Sequence, residues 1–449
     1  MKEAYYFHGN TVIMNYSKKY IPSMYEIVNS EIFEEFLHRY LDYLHKHNLE
    51  LYRYLSNNEK ENDQIVKDLK QVVRILLGSD MKDIGGEFSA RPKQLLDVVE
   101  SAYLYWRQLQ RYSFLYTTND EGFQIQNFVS ADSNVNAIVL EFYRRLQQRV
   151  EGVNNRVFRQ LQAGTNAALL LSYYDWEIPA GYEDLEGIPF VNEILLRTPL
   201  LLHSKYNKRT NTFTEAKTNP MKEFVKGDEE WICYPAKVGQ LLIYAFFHRD
   251  FITGCVGMAN LFELADRKET LSKQPDAILL FGNDDGKEDT VFYQDKKTNI
   301  WVGKNSARPE IDYFGYTKKS ILTLHNLVMM ERGWLPIHGA MVNIVLKDGT
   351  KKGLMFMGDS GAGKSETLEA LNIAATDIID YQETVFDDMG TLHINEDGEI
   401  RAQGTEIGAF VRLDDLDKGT AYRDMDRSIF FNPEKSNARV NLILYLFLF

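Results

Sequence analysis

The chain has 449 residues, 44% of them hydrophobic and 13% aromatic, so a globally disordered protein is excluded and roughly two to four domains are expected. Its 51 basic and 64 acidic residues give a net charge of −13, which disfavours binding to nucleic acid and to anionic membranes. Two cysteines, Cys233 and Cys255, exclude a disulfide scaffold and indicate a reducing, cytoplasmic compartment.

Residues 30–165 are predicted to be mostly helical. After Pro92, apolar residues recur at the i, i+3, i+4 spacing of one helix face, at Leu95, Val98, Val99, Ala102, Trp106 and Leu109. The later segment EFYRRLQQRVEGVNNRVFRQL has a similar pattern with arginines at its outer positions. A solvated helix surface is the simpler explanation of these arginines, and a docking surface for a protein partner is the alternative.

The pattern changes near Pro179, where short apolar runs begin to alternate with polar turns. The runs PFVNEILL, WICYPAKVGQLLIYAFF and DAILLFGND predict strands with intervening helices up to about residue 330. In FGNDDGKEDTVFYQDKKTNIWVG, the segments TVFY and IWVG are predicted to pair as a hairpin. A second hairpin is predicted in IVLKDGTKKGLMFM, because Asp-Gly joins two apolar runs there.

A phosphate-binding loop follows this second hairpin. GDSGAGKS matches G-x4-G-K-[ST], the apolar strand LMFM precedes it, and ETLEALNIAA begins a helix after it. The glycines let backbone N–H groups converge on phosphate oxygens, and the helix N-terminus adds partial positive charge. The predicted nucleotide-binding residues are Gly358, Asp359, Ser360, Gly361, Ala362, Gly363, Lys364 and Ser365.

Metal binding is predicted close to this loop. The side chain of Lys364 is expected to reach the β- and γ-phosphates of ATP, and the Ser365 hydroxyl to hold a nucleotide-bound Mg²⁺. Some twenty residues later, Asp387 and Asp388 follow a short apolar stretch. Paired carboxylates at a strand end are suitable ligands for Mg²⁺ or Mn²⁺.

Five ordered elements between about residues 305 and 440 resemble the ATP-dependent phosphoenolpyruvate carboxykinase family. They are YFGYTKK at 313–319 with Asn326 downstream, the pair Arg332-Gly333, His338 before the phosphate loop, the segment GTEIGAF, and Asn437-Ala438-Arg439. The family carries Y-x-G-x-x-K-K, an asparagine-containing helix, R-G, a histidine, a glycine-rich E-G-G segment and N-x-R in the same order.

The resemblance implies conversion of oxaloacetate and ATP to phosphoenolpyruvate, ADP and carbon dioxide, a reaction of gluconeogenesis. It implies that Lys319, His338 and Asp388 hold Mn²⁺, and that Lys318 and Arg439 contact the γ-phosphate during its transfer. A lysine ligates a metal only when neutral, and neighbouring cations lower its pKa.

Departures from the family pattern keep other functions open. The loop GDSGAGKSE is more similar to that of HPr kinase/phosphorylase, a related family that also has a His-Gly pair before its loop. A protein or small-molecule kinase is therefore one alternative, and a nucleotide-binding relative without catalysis is another. The G-R-S-P-K-D-K motif that binds oxaloacetate is absent, with Lys217 where an arginine is expected and Arg91 as a weaker match.

The sequence as a whole predicts an α/β protein in three parts. These are a helical region at 1–180, a mixed α/β carboxykinase-like region at 181–330 that binds a small keto acid, and a phosphate-loop nucleotide-binding domain of carboxykinase type at 331–449. Because the chain stops inside the apolar run NLILYLFLF, we expect that the nucleotide domain is incomplete and that further strands follow.

Overall fold

The computed structural model contains helices together with parallel and antiparallel sheets, which confirms the predicted α/β class. It describes residues 1–57, 59–117, 122–153, 156–358, 362–364, 367–368, 370–371, 375, 377–416 and 425–443. Within these ranges, no helix has the length and apolar character needed to cross a membrane. The chain forms two compact units, Met1–Leu170 with Leu195–Arg197, and Leu171–Ile194 with Thr198–Phe449.

The first unit combines β-strands with helices. Its strands lie in the spatial order β1-β2-β3-β4, namely β1 (Tyr5–His8), β2 (Thr11–Asn15), β3 (Gln110–Thr117) and β4 (Ala167–Ser172). Its helices are α1 (Met24–Asn29), α2 (Glu31–His47), α3 (Leu49–Ser56), α4 (Asn62–Gly78), α5 (Glu87–Ala90), α6 (Pro92–Gln108) and α7 (Gly122–Glu151).

Local sequence explains where these helices begin and which side they bury. The Ser30 hydroxyl accepts a hydrogen bond from the backbone N–H of Phe33, which caps α2. Helix α6 begins at Pro92, a residue suited to the first helical turn, and buries Leu95 and Val98. The helix predicted after Pro92 is therefore confirmed.

The second unit is built on a mixed sheet in the order β5-β8-β9-β11-β13-β12-β7, with β10 pairing to β8. Those strands are β5 (Phe190–Leu196), β7 (Thr214–Glu215), β8 (Trp231–Val238), β9 (Leu241–His248), β10 (Glu263–Leu264), β11 (Ala277–Asn283), β12 (Thr290–Asp295) and β13 (Ile300–Ser306). The helices of this unit are α8 (Ile252–Met258), α9 (Arg267–Ser272) and α10 (Phe314–Glu331).

Two four-stranded sheets complete the second unit. One has the order β15-β14-β16-β17 and consists of β14 (Leu335–Leu346), β15 (Lys351–Met357), β16 (Ile379–Ile394) and β17 (Ile400–Gly404). The other has the order β18-β20-β19-β6 and consists of β6 (Leu200–Leu202), β18 (Gly408–Arg412), β19 (Ile429–Phe431) and β20 (Arg439–Ile443).

Both predicted hairpins are present. Strands β12 and β13 pair antiparallel, as do β14 and β15. In the second hairpin, the Asp348 carboxylate accepts a hydrogen bond from the backbone N–H of Thr350, and Gly349 adopts a φ of +87°, a conformation that glycine adopts without steric cost. This turn leads β15 directly into the phosphate loop.

Candidate functional site

Helix α10 contributes the two lysines of the predicted site. Lys318 lies in the first turns of the helix with a side chain that is only 6% exposed. Its Nζ donates a hydrogen bond to Asp388 Oδ2 at 2.6 Å and lies 2.9 Å from Glu406 Oε1. Burial opposes the charge on Lys318, but Glu406 and Asp388 outweigh burial and raise the pKa of the amine. Lys318 is therefore a charged side chain held between two carboxylates.

Strands β14 and β16 bring His338 to Asp388. The backbone of Gly339 pairs with that of Asp388, and His338 Nε2 lies 2.8 Å from Asp388 Oδ1. The prediction that the aspartate pair stands at a strand end is wrong, because both residues lie inside β16, where Asp387 pairs with Ala340. Neighbouring residues of a regular strand face opposite sides of a sheet, so regular pleating would separate the two carboxylates.

The backbone of β16 is irregular next to Asp388. Its pairing with β14 skips Val385. The backbone of Asp388 has a φ of +98°, a value that residues other than glycine rarely adopt. Such strained positions cluster at ligand-binding and catalytic sites. Burial raises the pKa of Asp388, but Lys318, His338 and Lys319 lower it below the ordinary value overall, so the carboxylate is ionised.

The phosphate loop reaches the same group of side chains through Lys364. Its Nζ donates a hydrogen bond to the carbonyl oxygen of Gly358 at 2.8 Å and lies 3.5 Å from His338 Nε2. Ala362 and Gly363 also lie in the described part of the loop, and Gly363 has a φ of +83°. The contacts therefore run continuously from Lys364 through His338, Asp388 and Lys318 to Glu406.

Four predicted nucleotide-binding positions, Asp359, Ser360, Gly361 and Ser365, lie outside the described residues. The metal-binding role predicted for Ser365 falls there too. Beyond the loop, Lys364, Thr367, Leu368, Ala370 and Leu371 have helical backbone, as the sequence predicts.

Glu406 was not predicted as a site residue, although it lies in the GTEIGAF segment. Its side chain is 2% exposed, and neither carboxylate oxygen has a hydrogen-bond partner among the described residues, since the approach of Lys318 lacks hydrogen-bond geometry. Burial is the main cause that raises the pKa of Glu406 to about 7, opposed by Lys318 and reinforced by Asp388. Because this buried carboxylate gains or loses its proton near pH 7, the charge of the site depends on pH near neutrality.

Arg439 and Lys318 both lie against the ring of Phe410. The guanidinium carbon of Arg439 lies 5.7 Å from the centroid of the Phe410 ring, and Lys318 Nζ lies 5.9 Å from it. Burial raises the pKa of Tyr313, the residue immediately before α10, although the neighbouring Arg439 opposes this rise. The two cations predicted to contact the γ-phosphate therefore share one aromatic ring.

Lys319 is more exposed than Lys318, but it too interacts electrostatically with Asp388 and Glu406. Removal of its amine from water lowers the pKa of Lys319, and repulsion by Lys318 and Arg209 lowers it further, although Asp388 and Glu406 act in the opposite direction. The proximity of Arg209 was not predicted. The basic segment KYNKRTN was the available signal, but it does not match the family motif.

The sequence indicates two candidates for binding the keto acid, Lys217 and Arg91. Lys217 is exposed in the segment that follows β7. Arg91 belongs to the first unit, where it directly precedes α6. Neither is among the residues described above as contacting the site.

Cations outnumber carboxylates in this cluster. Lys318, Lys319, Lys364 and Arg439 stand against the carboxylates of Asp388 and Glu406, in a protein whose net charge is −13. A local excess of positive charge on a negative protein attracts a polyphosphate to this place.

Two donor atoms of the predicted metal site, His338 Nε2 and Asp388 Oδ1, lie side by side. Ligands bound at 2.0–2.1 Å and at right angles are about 2.9 Å apart, and His338 Nε2 and Asp388 Oδ1 are separated by 2.8 Å. In the described part of the chain, no three His, Cys, Asp or Glu side chains converge as a ready metal site. A further ligand of another type, such as the amine of Lys319, is therefore needed.

Comparisons with known proteins add no assignment. The chain matches no protein-family profile and no curated protein.

Proposed function

We propose that this chain binds ATP and acts as a phosphoenolpyruvate carboxykinase, which converts oxaloacetate and ATP to phosphoenolpyruvate, ADP and carbon dioxide. The observation that carries the proposal is the continuous set of contacts linking Lys364 of the phosphate loop to His338, Asp388 and Lys318. A reaction that transfers phosphate to a substrate beside a metal needs these groups within reach of one another.

The chain's cations account for binding of the nucleotide. The Lys364 amine donates a hydrogen bond to the carbonyl oxygen of Gly358. When ATP binds, the amine would exchange this hydrogen bond for contacts with the β- and γ-phosphates. Lys318 remains charged because its carboxylate partners raise its pKa. Together with Arg439 it would stabilise the charge on the transferring phosphoryl group.

His338, Asp388 and the neutral form of Lys319 would hold Mn²⁺, and the nucleotide would bring Mg²⁺. A divalent ion bound there stabilises negative charge on the enolate oxygen left by decarboxylation. The depressed pKa of Lys319 favours the neutral amine that this role requires. The Asp388 carboxylate, which already faces both His338 and Lys318, would keep these two groups oriented.

Arg209 is our candidate for binding a carboxylate of oxaloacetate. Its positive charge contributes to the lowered pKa of Lys319, a lysine whose side chain is exposed. An arginine binds a carboxylate through two parallel hydrogen bonds, which orients the keto acid as well as holding it.

The kinase alternative depends on a base, for which the site offers two carboxylates, the buried Glu406 and the ionised Asp388, whose two oxygens already face Lys318 and His338. Such a kinase needs a base that accepts the hydroxyl proton. Glu406 has a pKa suited to this task, but its side chain is 2% exposed and lies against Lys318. Decarboxylation of oxaloacetate produces the enolate without a base. Both cysteines are buried and free, and the cytoplasm remains our predicted location.

The test is to incubate the protein with ATP, Mg²⁺, Mn²⁺ and oxaloacetate and to measure phosphoenolpyruvate. We expect Lys319→Ala to lower kcat at least about 100-fold, and Arg209→Gln to raise KM for oxaloacetate with little change for ATP. Lys352→Ala, which removes an exposed lysine on β15, is the matched control and should retain full activity.

Three results would contradict the proposal. If Lys319→Ala formed phosphoenolpyruvate as fast as the unmodified protein, Lys319 would not be a ligand of the catalytic metal. ATP-dependent phosphorylation of a protein or small-molecule hydroxyl, without release of carbon dioxide, would establish the kinase alternative. Nucleotide binding with no turnover of oxaloacetate would establish the non-catalytic alternative.

A further inference from the structure

The helical unit contains an apolar cavity. Its volume is about 150 Å³, and residues of α1, α2, α4, α6 and α7, together with Met14 and Ile21, form its wall. All of the lining side chains are aliphatic or aromatic, and most of them belong to the buried core of this unit. The cavity lies wholly within Met1–Leu170 and is separate from the residues of the candidate site.

Four aromatic side chains in the wall carry a polar atom, and those of Tyr40, Trp106 and Tyr143 are hydrogen-bonded, whereas the buried hydroxyl of Tyr103 has no hydrogen-bond partner among the described residues. The Tyr40 hydroxyl donates a hydrogen bond to the carbonyl oxygen of Val98 at 3.2 Å. The indole N–H of Trp106 donates to the carbonyl oxygen of Ala163 at 2.6 Å. These two side chains therefore present carbon surface to an occupant, which excludes strongly polar and charged molecules as good ligands.

A second, smaller cavity adjoins the first. This cavity of about 30 Å³ shares Met14, Ile21, Ile32 and Val135 with the larger one. It also borders Lys19 and Glu31, which are exposed. One positive and one negative side chain at this end give no net preference for a charged ligand.

We propose that this cavity binds a small neutral apolar molecule of about the size of benzene. Atoms around an unfilled cavity lack packing partners on one side, so an occupant of matching shape gains contacts without displacing protein atoms. Apolar cavities of this size in proteins stay dry and bind benzene or xenon. The helical unit would then be a ligand-binding module, a function independent of the carboxykinase chemistry.

Benzene is the probe for a first test on the full chain. Near saturation it should raise the melting temperature by about 2–4 °C. Ala102→Leu, which adds carbon atoms to the wall of the cavity, should abolish this rise. Ala137→Leu makes the same change on the exposed side of α7 and should retain it. No rise in the unmodified protein, or an equal rise in Ala102→Leu, would overturn the proposal.

A second measurement does not depend on the folding of Ala102→Leu. Trp106 lines the cavity, so bromobenzene bound there should quench a saturable part of the tryptophan fluorescence through its heavy atom. Trp106→Phe should lose the saturable part. Quenching that never saturates, or that is unchanged in Trp106→Phe, would mean that the probe does not enter the cavity.

Discussion

Glu406 is the residue at which burial and charge conflict most strongly in the candidate site. Its carboxylate is fully enclosed and faces Lys318, yet it lacks hydrogen-bond donors among the described residues. Burial favours the protonated acid, whereas the lysine favours the carboxylate, and a pKa of about 7 is the result. The charge of the group around Lys318 therefore changes across the physiological pH range.

Glu406→Gln should change how stability depends on pH. A glutamate has a pKa of about 4.3 in an unfolded chain and about 7 here, so the folded state binds more protons between these values. The stability contributed by this group is complete below about pH 4 and is lost as the pH rises through 7. As the pH rises from 4 to 8, the free energy of unfolding of the variant should increase by up to about 3 kcal/mol relative to that of the unmodified protein.

Denaturant unfolding at several pH values measures this difference directly. Glu396→Gln alters an exposed glutamate in the turn after β16 and is the matched control, whose profile should follow that of the unmodified protein. Parallel profiles for Glu406→Gln and the unmodified protein would show that the Glu406 pKa is not raised.

At the scale of elements, the segment between β17 and β18 is held by close backbone contacts at two glycines. A Cβ atom on Gly404 would lie 2.7 Å from the carbonyl oxygen of Val385, and one on Gly408 would lie 2.1 Å from that of Asn260. Neither glycine has a positive φ, so the constraint is space and not backbone conformation. The close packing fixes the position of Glu406, which lies between them.

Gly408→Ala should therefore destabilise the second unit by about 1–3 kcal/mol or more, because backbone atoms of two elements would have to move. Thermal unfolding monitored by circular dichroism measures the loss. The control is Gly78→Ala, where the new methyl group meets open space at the end of α4 and stability should be unchanged or slightly raised. Equal melting temperatures for the two variants would show that β18 tolerates displacement.

At the scale of the whole molecule, the candidate site is a cationic cluster on a protein of net charge −13. The overall field repels an anionic nucleotide, so binding depends on short-range attraction by Lys364, Lys318 and Arg439. Salt screens the attraction by exposed charges more than the attraction by buried charges.

Lys364→Ala should weaken binding of ATP by about tenfold or more at 50 and at 300 mM potassium chloride, because the charge–phosphate contact is short and salt screens it less than the distant acidic residues. Titration with a fluorescent ATP analogue at each salt concentration measures the effect. Equal affinities of Lys364→Ala and the unmodified protein at both salt concentrations would show that this lysine does not bind the phosphates.

Local patterns determined much of the secondary structure. The apolar spacing after Pro92 predicted α6, and the Asp348-Gly349 turn predicted the hairpin of β14 and β15. The phosphate loop, His338, Asp388 and the lysine pair were also found as sequence motifs. These features depend on neighbouring residues, whose periodicity and turn chemistry are visible in one stretch of chain.

Only the tertiary structure decided which of these side chains meet. Lys318 and Asp388 are 70 residues apart, and the positive φ of Asp388 follows from pairing within a sheet that the local sequence does not specify. The contact of Glu406 with Lys318 and the influence of Arg209 on Lys319 arise in the same way. Burial and electrostatic coupling depend on distance in space, and the folding of distant segments against one another sets that distance.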